Sequence, residues 1–165
     1  MSAWIGIVGT IVGALLAGGT AWLNSRSQLR RQEERERKKL ILSKLEELYE
    51  IVSQFKHSYV KSTTSQLTSL AERRPLEQSD VPPVPLEKLH MLVGFYAPEL
   101  EFKLQQLMLR REEFGHVLVK RVGLEQKGEA MIKSFLVDLR DKSLILNQTC
   151  EEIQRDIVEL SKKYI

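Results

Sequence analysis

The hydrophobic pattern changes character once. Residues 3–23, AWIGIVGTIVGALLAGGTAWL, form an apolar run without a single charged side chain. A run of this length matches the thickness of a bilayer's hydrocarbon layer and predicts a transmembrane helix. Trp4 and Trp22 stand 18 positions apart, roughly 27 Å at the helical rise, so their indoles are expected as anchors at the two membrane interfaces. After Leu23 the apolar positions become periodic, with the steps of four and three that mark one face of a helix.

The first periodic stretch is Ile41, Leu45, Leu48, Val52, Phe55 and Tyr59, after which the same phase meets Ser62 and Gln66. A helix over about 40–70 is predicted, with its packed face fading near residue 60. Residues 72–85 contain Pro75, Pro82, Pro83 and Pro85 and are expected as a loop, since proline removes a backbone donor and restricts the residue before it. A second helix over 86–122 carries Leu86, Leu89, Val93, Tyr96 and Leu100, then Leu104, Leu107, Arg111, Phe114 and Leu118. Its phase slips by one residue beside Pro98, which predicts a kink there or a short break at Ala97. Gly123, followed by Leu124, reads as the end of that helix. The last helix, about 126–164, has the most regular seam: Ile132, Leu136, Leu139, Ser143, Leu146, Cys150, Ile153, Ile157, Leu160 and Tyr164. The predicted fold class is all-α: one transmembrane helix, a basic helical stem over 24–39, and an elongated antiparallel bundle of three coiled-coil-like helices over 40–165.

Charge refines this picture through its distribution. The net charge of +3 divides into +4 on residues 24–39 and −1 on all that follows. Arg26, Arg30, Arg31, Arg35, Arg37, Lys38 and Lys39 stand there against Glu33, Glu34 and Glu36. Only Met1 and Ser2 precede the apolar run, so the asymmetry of Lys and Arg predicts an N-terminus outside and a cytoplasmic bundle at the inner membrane. Arg26, Arg30, Arg31 and Arg35 are the candidate contacts for anionic lipid headgroups of the inner leaflet. With the basic excess confined to this collar, nucleic acid is not an expected partner.

Small residues in the apolar run fall in two rows spaced by four. Gly9, Gly13, Ala17 and Ala21 form one, and Gly6, Thr10, Ala14 and Gly18 the other. Such rows let two membrane helices approach closely, so a homo-oligomer joined through this face is expected.

Candidate chemistry is sparse. Glu87-x-x-His90 and Glu113-x-x-His116 match the pair by which ferritin-like bundles hold two metal ions. The further inward glutamates such a site needs are not evident, and a straight helix would hold the two motifs about 39 Å apart. No metal, cofactor or catalytic residue is therefore assigned. His57 has no ligand at metal spacing, Cys150 is expected as a small buried hydrophobe, and neither Pro82-x-x-Pro85 nor the sequon at Asn147 requires a ligand or a sugar. These observations point away from an enzyme. They describe a membrane-anchored scaffold or regulator that offers a helical surface to a protein partner. Two other readings are an oligomeric membrane-perturbing effector, such as a pore, and an envelope-spanning tether.

Overall fold

The structure, a computed structural model, describes residues 2–72, 85–121, 124 and 128–165, with side chains described at Trp22 and from residue 24 onward. Four helices are present among these residues and no strand: α1 (Ser2–Ala71), α2 (Leu86–Tyr96), α3 (Glu101–Val119) and α4 (Glu129–Ser161). The chain divides into two compact units, Met1–Leu40 and Ile41–Ile165. Among the described residues no helix is long and apolar enough to cross a membrane. The side chains of the apolar run, Trp22 excepted, lie outside that set, as do most of the proline loop and Gly123.

Within Ile41–Ile165 the direction of each helix follows from which residues meet. From α1 to α4, Ser53 accepts from Gln154 at 2.6 Å, Lys56 pairs with Glu151 at 2.6 Å, and Thr63 donates to Ser143 at 3.0 Å. Numbers rise on one helix as they fall on the other, so the two are antiparallel. From α3 to α4, Lys103 pairs with Asp156, Glu113 with Lys142 at 2.9 Å, and Lys120 with Asp138 at 3.0 Å, again antiparallel. From α1 to α3 the numbers rise together: Arg111 donates to the Tyr59 hydroxyl at 3.0 Å and Arg121 to Ser69 at 3.5 Å. α1 and α3 are therefore parallel neighbours.

This arrangement corrects the expected three-helix bundle. The predicted helix over 86–122 is not one kinked rod, because the chain turns back on itself at Ala97. Leu86 and His90 of α2 line one groove with Gln105, Met108 and Glu112 of α3, so α2 folds back beside α3. The cause is local. Ala97 precedes a proline and leaves the helical region, at φ −146° and ψ 53°. Pro98 then opens a single 3-10 turn (Pro98–Leu100), a position where its missing donor costs nothing, and α3 departs in the reverse direction. Ala97 and Leu100 are both buried, which fixes the reversal against the core.

The core has two clusters. The larger joins Leu45, Leu48, Val52 and Phe55 of α1 to Leu89, Leu92 and Val93 of α2, Leu104 and Leu107 of α3, and Leu146 onward in α4. The smaller consists of Phe114, Val117, Leu124, Phe135 and Leu139. Along α1 the packed face does not fade at residue 60 as expected. It turns polar: Ser58, Ser62, Gln66 and Ser69 are buried. The helix itself supplies partners, with Ser58 donating to the carbonyl of Gln54 at 2.8 Å and Ser69 to that of Gln66 at 3.1 Å. Arg111, expected on the α3 seam, is exposed at its edge.

Cys150 occupies its seam position with no exposed surface, and burial pushes its thiol up to about 12. In the unfolded chain the thiol titrates near 9, so the folded state holds the proton longer. The associated stability is complete below that pH and lost as pH rises toward 12. We expect Cys150→Val to fold normally at neutral pH and to lose less stability than the parent between pH 9 and 12, as read by denaturant melts.

Candidate functional site

The basic collar lies on α1 in the unit Met1–Leu40. Helical spacing sets its geometry: Arg26 and Arg30 are four residues apart, as are Arg31 and Arg35, so each pair shares a helix face. All four are exposed. Arg26, Arg30 and Arg31 gather with Ser27 around one shallow depression, where Glu34 is the only acid. The Arg26 guanidinium stands 5.3 Å from the centre of the Trp22 ring, a cation–π distance, and that indole is itself 60% exposed. An amphipathic indole therefore borders a group of planar forks, each able to take two phosphate oxygens at once. The other expected anchor, Trp4, and the small-residue rows Gly6, Thr10, Ala14, Gly18 and Gly9, Gly13, Ala17, Ala21 have side chains outside the described residues.

The two Glu-x-x-His motifs sit differently from their expectation. The reversal at Ala97 cancels the straight helix on which their separation was reckoned, and His90 and His116 line one groove with Tyr59, Arg111 and Glu112. That proximity was missed because sequence spacing carries no information across a chain reversal. The glutamates do not follow the histidines. Glu113 is outside this groove and turns to α4, where Lys142 holds it at 2.9 Å, with Arg110 of its own helix at 3.0 Å. These partners, the Lys142 bond foremost, hold its carboxyl below the usual carboxylate range. Among the described residues, no group of three or more His, Cys, Asp or Glu side chains is arranged to hold a metal ion. Glu47 is likewise structural: hydrogen bonds from Lys44 and Lys88 lower it to about 2 and tie α1 to α2.

Comparison of the chain with protein-family models, characterised proteins and solved structures finds no match in any of the three. Its function has to be argued from its own residues.

Proposed function

We propose that the protein is a non-enzymatic, membrane-anchored helical scaffold or regulator. On this reading residues 3–23 span the inner membrane, Arg26, Arg30, Arg31 and Arg35 meet anionic headgroups, and the bundle is held on the cytoplasmic side for a protein partner. The observation that supports it most is the exposed Trp22 stacked under Arg26, with Arg30 and Arg31 beside it, directly after an uncharged run long enough to span. Indoles favour the interfacial layer, and each basic side chain near an anionic leaflet gains about 1 kcal/mol.

Self-association through the small-residue rows belongs to the same proposal. In lipid, contact between helices brings no hydrophobic gain, so close van der Waals packing across glycines has to supply the attraction. Gly13→Ile is expected to weaken association of residues 1–31 in a membrane dimerisation reporter, whereas Leu16→Ile, off both rows, should leave it unchanged. Equal behaviour of the two variants would remove the small-residue interface from the account.

A further inference from the structure

We infer that the depression bounded by Arg26, Ser27, Arg30 and Arg31 binds the phosphate monoester headgroup of a membrane lipid, of the phosphatidic acid type, in preference to lipids that carry only a phosphate diester. The inference rests on the membrane reading above and names the lipid that the collar selects. Residues at i, i+1, i+4 and i+5 of one helix make a four-cornered patch, here with three guanidiniums and one hydroxyl as its corners. Among the described residues Glu34 is the only acid lining the depression, and it stands at the edge farthest from Trp22. Long helical side chains lean toward the N-terminus of their helix, which brings the forks of Arg30 and Arg31 back toward that of Arg26. Arg26 itself lies four residues beyond Trp22, about 6 Å along the axis, where headgroup phosphates stand just outside an interfacial indole.

Residue type and charge identify the ligand. Every basic residue from Asn24 to Arg37 is arginine, and Lys38 is the first lysine of the chain. Either residue would fix topology by its charge, whereas only the planar guanidinium offers two parallel N–H donors to one phosphate. Three guanidiniums against the single carboxylate of Glu34 leave the depression with a formal charge of +2. A phosphate monoester carries about −1.5 to −2 near neutral pH and has three terminal acceptor oxygens, whereas a diester carries a single charge and has two. The monoester therefore matches the depression in charge and in number of acceptors.

The donors are available to a ligand. The contact of Arg26 with the Trp22 ring, at 5.3 Å, engages the face of an indole and leaves the in-plane N–H groups of the guanidinium free to donate. Among the described residues no ion pair engages Arg26, Arg30 or Arg31, whereas basic residues of the bundle such as Lys56, Lys103 and Arg110 hold acids.

The test reconstitutes the full-length chain in phosphatidylcholine vesicles holding a trace of phosphatidic acid with a photoreactive acyl chain, and reads displacement of this label by unlabelled lipid. Flotation of the chain with vesicles of phosphatidylcholine alone comes first. A chain left behind would refute the membrane span, and selectivity would then be read in detergent micelles, so the two failures are separate. Phosphatidic acid is expected to displace the label about fivefold better than phosphatidylglycerol matched in surface charge, and inorganic phosphate should not displace it. Arg30→Lys combined with Arg31→Lys keeps the charge and should abolish the preference, whereas Arg37→Lys, outside the depression, should retain it. Lowering the pH from 7 to 5 should also abolish it, because the monoester takes up its second proton at about pH 6 while the guanidiniums stay charged. Glu34→Gln, which removes the other titratable group of the depression, should keep that pH response. Equal displacement by the two lipids, displacement by inorganic phosphate, a preference that survives the paired variant or is lost with Arg37→Lys, or one that is flat across this pH range would each overturn the inference.

Discussion

Leu139→Asp is expected to leave the bundle at the margin of folding, while Arg140→Asp, one residue along, should change stability by no more than about 0.5 kcal/mol. Leu139 has no exposed surface and packs in the smaller core cluster, whereas Arg140 is exposed. The aspartate removes the buried leucine's contacts and places a carboxylate among the apolar side chains of Phe114, Val117, Leu124 and Phe135. Burial of an unpaired charge adds to the loss of a packed side chain, which alone costs about 2–5 kcal/mol. Against the 5–15 kcal/mol that separates a typical native domain from its unfolded chain, the sum removes most of the reserve. Thermal melts followed by circular dichroism check this. Equal melting temperatures for the two variants would mean that the α4 seam does not pack.

Phe114→Ala is expected to cost about 3–5 kcal/mol and to loosen one end of the bundle more than the other. Phe114 is fully buried in a cluster with Val117, Leu124, Phe135 and Leu139, and its ring meets Tyr59 edge-on at 5.3 Å. The neighbouring face of α1 offers the buried polar side chains of Ser58, Ser62, Gln66 and Ser69, of which Ser58 and Ser69 bond back to their own helix while the Gln66 Oε1 is left unmet among the described residues. Among the described residues that end is held by this cluster and the partly buried Tyr59, Leu70, Leu118, Ile132 and Leu136 packed against it, a smaller apolar set than the one at the other end. Hydrogen exchange should show the amides of residues 58–71 losing protection before those of 45–55, where Leu45, Leu48, Val52 and Phe55 are locked in the larger cluster. Uniform loss across both segments would contradict a core in two parts.

The same division explains what was legible beforehand. The α4 seam was readable from Leu139 to Leu160 because steps of four and three are the geometry of a helix face, and every predicted position there is buried, whereas at its start the buried residue is Phe135, with the expected Ile132 and Leu136 only partly buried beside it. Ser143 and Cys150 were placed there by phase alone. The polar half of the α1 face was not readable, because hydropathy cannot mark a serine as buried when it satisfies itself on the preceding turn. Pro98 and the slipped phase marked the right place for a break. Whether a break bends a helix or reverses it depends on what the following segment packs against, and that is a property of α1 and α4. The cluster at Trp22, Arg26, Arg30 and Arg31 was legible as charge order, while the groove that His90 and His116 both line awaited the reversal.

The most direct measurement combines membrane extraction with labelling from one side. A cysteine introduced at the exposed Ser134 of α4 reports the location of the bundle, since the buried thiol of Cys150 resists ionisation and stays unlabelled. The account predicts that the full chain stays in the membrane pellet after alkaline carbonate and that deletion of residues 3–23 releases it. It also predicts that an impermeant maleimide leaves Ser134→Cys unmodified in intact cells and labels it fully after lysis. Release of the full chain by carbonate, or labelling in intact cells, would contradict a bundle anchored at the cytoplasmic face.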